Sequence, residues 1–256
     1  PGVLSELCGL EVYLYGAHEE GLYRGRAGNI IAQRDGAICI ATTDGAVWIS
    51  HLRQRGSEGK RYLKLPATQV LGKRLTVPNE HFYNFHKQER VSSYHEIWYE
   101  ETEDVGYLHF NFHNGAMSSE QCQRLRCILQ LAKERPTKVI VLVGGEDFHS
   151  NGIHLNVIEA ADDPAHESWR NINAMNDLIL ELITCKSHLT VSAVQGNAGA
   201  GGVVFALAAD YIVARSGRVF NPHYKTMGLH GSEYWTYLLP KRIGEKAAQA
   251  LTERCL

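Results

Sequence analysis

The sequence is short of the features that assign proteins to several common classes. It has no apolar run approaching the roughly 20 residues of a membrane-crossing helix, no Cys-x-x-Cys pair, and no Gly-Lys-Ser or Gly-Lys-Thr of a nucleoside-triphosphate loop. The first absence argues against a membrane-spanning helix, the second against a paired-cysteine metal or redox site, and the third excludes a Walker-type phosphate cradle. No metal site is expected. Net charge is almost lacking: 26 Lys and Arg stand against 28 Asp and Glu, leaving −2. Such balance gives no general attraction to nucleic acid or an anionic membrane, although local basic patches stay open. No internal repeat, low-complexity tract or secretory leader is evident. The six cysteines, Cys8, Cys39, Cys122, Cys127, Cys185 and Cys255, read as reduced, mostly buried thiols of a cytoplasmic protein.

The chain has 256 residues, 44% of them hydrophobic. That suits one large or two modest domains with real cores. It opens at Pro1 without Met and ends at Leu256 inside a helical pattern, as expected of a fragment cut at both ends. Residues 10–65 read as all-β. Alternation over 11–15, then strands over 28–34, 37–42 and 46–52, are separated by Asp35-Gly36 and Asp44-Gly45, both tight-turn signals. Residues 53–61 form a polar loop and 66–72 a short helix. The first domain is placed at 1–75 and a linker or irregular cover, with His81, His86, Lys87, Glu89 and Arg90, at 76–95.

From 96 the pattern turns α/β. A hairpin is expected over 96–101 and 105–110. Ser118, with Gln121 three residues on, predicts a capped helix to about residue 134, before Pro136. Residues 138–143 and 189–194 read as buried strands, 166–184 as a helix, and 210–214 as a further strand. Between them lies Gln195-Gly196-Asn197-Ala198-Gly199-Ala200-Gly201-Gly202, a Gly-rich turn leading into an apolar helix. A dinucleotide fingerprint would begin at Gly199-x-Gly201, but residue 204 is Val and Asp210 lies too near for the ribose contact, so that reading is set aside. Two readings remain open. Backbone N–H groups at such a turn, with a second set from the Gly-bearing stretch 148–155, would form an oxyanion hole. Equally, the glycines would serve only tight helix–strand packing.

Three segments carry a resemblance. Phe148-His149-Ser150-Asn151-Gly152-Ile153-His154-Leu155 follows a Phe-x-Ala-Gly-x-Asp-Leu pattern, one residue longer and with His154 for Asp. Residues 200–210, from Ala200-Gly201-Gly202 to Ala209-Asp210, follow Gly-Gly-Gly-x-Glu-Leu-Ala-x-x-x-Asp. Residues 220–228, Gly231 and Leu239-Pro240-Lys241-Arg242-Ile243-Gly244 follow the third pattern without gaps. Together they resemble the crotonase (enoyl-CoA hydratase/isomerase) family across residues 96–256, truncated at the C-terminus. The resemblance implies an α/β crotonase-like ββα spiral that binds coenzyme A thioesters. It places the oxyanion donors on the N–H groups of Ile153 and Gly201, with Gly152 and Gly202 beside the bound cofactor. The two glutamates of the hydratases fall on Val204 and Tyr224, so hydration is not expected. Glu233, in Gly231-Ser232-Glu233-Tyr234, is a new carboxylate. It forms a candidate acid/base pair with Tyr224, unless Tyr224 only packs and Glu233 only caps the next helix. His223 and His230 are weaker candidates.

Residues 10–72 resemble the small all-β C-terminal domain of formyltransferases, through Gly28-Asn29-Ile30-Ile31, the two Asp-Gly turns and Pro66-Ala67-Thr68-Gln69. A β-domain of this kind before a crotonase-type domain is the layout of the HypX/HoxX family of NiFe-hydrogenase maturation proteins, which the departures around Tyr224 and Glu233 also resemble. That layout implies transfer of a formyl group from a tetrahydrofolate derivative to coenzyme A, the folate site lying outside this sequence. Decarbonylation of formyl-CoA would follow, giving CO for the hydrogenase, with hydrogenase maturation proteins as partners. Two alternatives stand beside it. One is another acyl-CoA isomerase, hydratase or thioesterase. The other is an RNA-binding β-domain using Arg24, Arg26, Arg34, Arg53, Arg55, Lys60, Arg61 and Lys64.

Overall fold

The computed structural model describes residues 2–56, 62–80, 93–222, 224, 228 and 231–254. The chain divides into two compact units, Pro1–Glu96 and Ile97–Leu256. Among the described residues no helix is long and apolar enough to cross a membrane.

The first unit is an antiparallel sheet of β1 (Val3–Leu7), β2 (Leu10–Glu20), β3 (Ile30–Arg34), β4 (Ala37–Ala41), β5 (Ala46–Gln54) and β6 (Leu65–Pro66), with α1 (Ala67–Leu71) continuing into a 3-10 turn, Gly72–Arg74. Strand order is β1-β2-β5-β4-β3, with β6 added on β5. In β4 the two-residue period of a strand divides the core between the faces. Ile38, Ile49 and Leu52 pack with Val12 and with Ala67 and Leu71 of α1. Ala37, Cys39 and Trp48 pack with Ala32 and Tyr94. Strand β1 lies ahead of the alternation, which begins at residue 11. The Asp35-Gly36 turn has both residues left-handed (φ 49° and 80°), as its sequence predicts. The second turn is different: Thr42 closes it, its Oγ accepting the Gly45 N–H at 2.9 Å and donating to Asp44 at 2.9 Å.

The Trp48 face holds a buried polar network. Glu20, 2% exposed, accepts from Trp48 Nε1 at 2.5 Å, Ser93 Oγ at 2.7 Å and the Leu22 and Tyr23 N–H groups. Arg34 lies with its guanidinium carbon 4.8 Å from the Trp48 ring centroid. It donates to Glu80 at 2.8 Å and to the Tyr94 carbonyl at 2.9 Å. Arg34 is therefore an internal ligand and not the surface cation that an RNA-binding face requires. Of the other cations, Arg55 pairs with Glu11 and Arg53 stacks over Tyr13, while Lys60 and Arg61 lie outside the described residues, as do His81, His86, Lys87, Glu89 and Arg90.

The second unit begins with the hairpin β7 (Ile97–Thr102) and β8 (Val105–Phe110). Parallel strands β9 (Val139–Val143), β11 (Leu189–Val194) and β13 (Tyr211–Ala214) extend it in the order β13-β11-β9-β8-β7. A smaller parallel sheet stacks β10 (Phe148–Ser150), β12 (Asn197–Gly199) and β14 (Phe220–Asn221). These three strands are too short to carry a readable period. Helices α2 (Ser119–Ala132) and α4 (Pro164–Ile183) pack together, with α3 (Leu155–Glu159), α5 (Gly201–Leu207), α6 (Trp235–Ile243) and α7 (Glu245–Arg254) completing the unit. Helix α2 starts on the expected capping box, with reciprocal Ser118–Gln121 bonds at 2.9 and 3.3 Å. The expectation of mostly buried thiols needs correcting. Cys39 and Cys122 are buried, but Cys8 and Cys127 are exposed and Cys185 is intermediate. Cys8 occupies a hairpin tip and Cys127 the outer face of α2.

Burial pushes the Glu20 carboxyl up, but its bonds from Ser93, Trp48 and two backbone N–H groups outweigh this and hold it below the usual carboxylate range. A depressed folded pKa contributes stability above the unfolded pKa, lost as pH falls through the folded one. Glu20→Gln is expected to cost about 1–3 kcal/mol at pH 7 and to flatten the acid limb of stability. Urea unfolding of the intact protein at pH 7 and pH 4 measures both.

Candidate active site

The two Gly-bearing turns meet because their short strands pair. Strand β10 lies parallel to β12, with Phe148 opposite Asn197 and Ser150 opposite Ala198. Beyond β10 the chain turns at Gly152, whose φ of +76° favours glycine. Its N–H is held by Ser150 Oγ at 3.0 Å, and its carbonyl accepts the Met117 N–H at 2.9 Å. Beyond β12 the chain turns at Ala200 and enters α5 at Gly201. A Cβ placed on Gly152 would come within 3.0 Å of the Gly201 nitrogen. Among the described residues, neither the Ile153 nor the Gly201 N–H is engaged in a hydrogen bond.

The glycines divide between the two readings the sequence left open. A Cβ on Gly202 would run into the Ser150 carbonyl, so Gly202 allows helix and strand to pack. A Cβ on Gly201 would collide with Oε1 of Glu233, so Gly201 leaves a bare backbone beneath a carboxyl group. Ala200 stands where the resemblance expects glycine. It adopts φ 45° and ψ −128°, the first central position of a type II′ turn that glycine normally fills.

Tyr224 and Glu233, separated in sequence, are brought together. The Tyr224 hydroxyl donates to Glu233 Oε2 at 3.0 Å, and the Ser232 N–H donates to the same oxygen at 2.9 Å. Glu233 does not cap α6, whose N-cap is Tyr234 with no side-chain bond. Tyr224 is 5% exposed and Glu233 2%. Burial pushes the Glu233 carboxyl above its ordinary range, against the bonds from Ser232 and Tyr224. Burial, then the neighbouring carboxylate, pushes the Tyr224 hydroxyl up as well. The Cys122 thiol on α2 is buried and also raised, first by desolvation and then by Glu233. Desolvation thus favours the neutral form of each of these groups. Val204 is buried and brings no carboxylate. His223 and His230 lie outside the described residues.

Several contributors escaped the sequence reading. His154 is the N-cap of α3, its Nδ1 accepting the Val157 N–H at 3.3 Å, the bond an Asp would make. Asn171, fully buried on α4, accepts the His154 N–H at 3.0 Å and donates to the Met117 carbonyl at 2.9 Å. Asn176 accepts the Glu233 N–H at 2.8 Å and Ser232 Oγ at 2.7 Å. The available signal was an Asn on the apolar stripe of a helix, where a buried amide must find partners. Asp210 is committed to structure: its Oδ2 accepts both the N–H and the hydroxyl of Thr190 at 2.8 Å.

The sequence matches the enoyl-CoA hydratase/isomerase family over residues 102–255 and the formyl transferase C-terminal domain over residues 1–64. It is 47% identical to the hydrogenase maturation factor HoxX of Bradyrhizobium diazoefficiens, across 99% of this chain and 43% of that protein. The crystal structure of HypX from Aquifex aeolicus in complex with tetrahydrofolic acid is similar at 50% identity and a TM-score of 0.95, covering 100% of this chain and 45% of that one. The chain thus spans less than half the length of these two relatives. An enoyl-CoA hydratase structure from Bacillus anthracis, at 21% identity, shares the fold alone, with a TM-score of 0.59 over 63% of this chain and 64% of that one. The architecture is therefore a formyl transferase C-terminal-like β-domain joined to a crotonase-like α/β domain.

Gly202→Ala is expected to destabilise the protein by about 3 kcal/mol or to prevent folding, because the obstruction is backbone and not a movable side chain. Urea unfolding with far-UV circular dichroism checks this.

Proposed function

Because this chain belongs to the enoyl-CoA hydratase/isomerase family, we propose that it binds a coenzyme A thioester and releases CO from formyl-CoA, within a hydrogenase maturation system. The observation that carries the reading is the buried Tyr224–Glu233 pair, 3.0 Å apart. It stands over Gly201, where the resemblance replaces the hydratase carboxylates by Val204 and Tyr224. The site fits a thioester: Gly201 carries no side chain under Glu233, and two backbone N–H groups are unengaged. HypX was crystallised with tetrahydrofolic acid, a carrier class suited to delivering a formyl group. In this reading the folate derivative acts elsewhere in the protein and coenzyme A carries the product here. We place the protein in the cytoplasm, with hydrogenase maturation proteins as partners.

The Ile153 and Gly201 N–H groups receive the formyl oxygen and draw electron density from the carbonyl, making the formyl C–H more acidic. Ionised Glu233, through Oε1, takes that proton. The C–H electron pair stays on carbon as the lone pair of CO. The C–S bond breaks with its pair going to sulfur, and the proton on Glu233 passes to the thiolate. Formyl-CoA becomes CO and coenzyme A with no oxidant, reductant or water consumed. Tyr224 orients the carboxyl group through its hydrogen bond and lowers the cost of its ionisation. Val204 offers no carboxylate to activate water, as hydration would need.

The test is CO release from formyl-CoA by the protein at its full natural length, with haemoglobin as CO trap. Glu233→Gln and Tyr224→Phe are each expected to lower kcat by about 10²–10⁴. The rate of the unsubstituted protein should rise with pH through a midpoint above the ordinary carboxylate range, since burial raises Glu233 and its ionised form is the base. Glu233→Gln should lose that limb. Full CO output with both substitutions, or turnover of longer acyl thioesters without preference for formyl, would overturn the reading.

A further inference from the structure

The geometry singles out a side chain that the proposed chemistry does not use. Asn176 lies on α4, a 20-residue helix. Its Oδ1 takes two hydrogen bonds, from the Glu233 N–H at 2.8 Å and from Ser232 Oγ at 2.7 Å. The chain at that point is in an unusual state. Glu233 and Tyr234 are consecutive left-handed residues, with φ 51° and 60°, and neither is glycine. That region is sparsely populated for residues with side chains and persists only where the surroundings hold it.

The direction of the Glu233 side chain follows from that backbone. If the turn relaxed to negative φ, the Cα–Cβ bond would swing and the carboxyl group would leave Gly201. The carboxyl itself cannot supply the restraint. Its Oε2 is occupied by Tyr224 at 3.0 Å and the adjacent Ser232 N–H at 2.9 Å, while Oε1, over Gly201, accepts no hydrogen bond among the described residues. Ser232 is the neighbour of Glu233 on the same turn and cannot anchor it from outside, whereas α4 is a 20-residue helix of the core. The same helix holds the opposite wall, because Asn171 accepts the His154 N–H at 3.0 Å, next to Ile153. One rigid element therefore spaces both halves of the site.

We infer that Asn176 is a positioning residue: by fixing the main chain of Glu233 from α4, it keeps Oε1 over Gly201, at the distance from the Ile153 turn that Asn171 sets on the same helix. This rests on the reading of Glu233 as the group that moves the proton. Among the described residues, the titratable groups shifted by Glu233 are the Tyr224 hydroxyl and, from α2, the Cys122 thiol, both pushed toward their neutral forms. An added charge at residue 176 would therefore act on Glu233 itself.

Two substitutions separate positioning from bulk stability. Asn176→Leu keeps the branched shape, with somewhat larger methyl groups, and removes the acceptor. Asn176→Asp keeps an acceptor for both donors and adds a negative charge beside the carboxyl group. In the protein at its full natural length, Asn176→Leu is expected to lower kcat for CO release about 100-fold, with KM within about threefold. Asn176→Asp should recover most of kcat at high pH, with the rising limb of the pH–rate profile moved up by about one unit. Unchanged kcat in Asn176→Leu overturns the inference, as does an unmoved limb in Asn176→Asp. Infrared difference titration of the Glu233 carboxyl gives a readout independent of turnover. If Glu233→Gln retains full activity while Asn176→Asp still shifts that titration upward, the role given to Glu233 fails and the placement by Asn176 stands.

Discussion

The candidate site depends on one close approach, a carboxyl group lying directly on a main chain that has no side chain to keep it away. Oε1 of Glu233 occupies the space a Cβ on Gly201 would need. That contact sets the other requirements. The turn carrying Glu233 must be left-handed, Tyr224 must reach across to hold the second oxygen, and the helix behind must offer an acceptor to the Glu233 N–H. On the opposite side, Gly152 must be bare too, because its own Cβ would press on the Gly201 nitrogen. Few single residues here are free to change without moving a neighbour.

Burial sets the electrostatic character of the place. The acid, the phenol and the thiol around Gly201 are each pushed toward their neutral forms by desolvation. The contrast with Glu20 in the first unit is instructive. Both carboxyl groups are 2% exposed, yet Glu20 sits below the usual range and Glu233 above it. Two things differ: Glu233 is the more strongly desolvated, and it has fewer donors. Glu20 receives two side-chain donors and two backbone N–H groups, whereas Glu233 receives one of each. A saturated carboxylate is a structural anion; an under-supplied one stays available for a proton.

Much of this was legible in the sequence, and the exceptions share a cause. Alternation marks the first half of β2, the two Asp-Gly turns delimit β3 to β5, the capping box at Ser118 fixes the start of α2, and apolar runs mark β9 and β11, because each signal is local. Strands β10, β12 and β14 are two or three residues long and have no period to detect, although they join the two turns. The pairing of Tyr224 with Glu233 was reached through motif register, and the structure brings the two side chains into contact. Asn171, Asn176 and Arg34 were passed over or misassigned because a polar residue gives no local sign of whether it faces solvent or a buried partner. His154 looked like a lost acid, but its ring nitrogen makes the bond that the acid would have made.

The φ of 45° and ψ of −128° at Ala200 lie where any residue with a Cβ is strained. Glycine there would relieve the strain and leave the turn into α5 freer to take other conformations. The cost is thus borne at the residue that immediately precedes Gly201, whose N–H takes its direction from that turn.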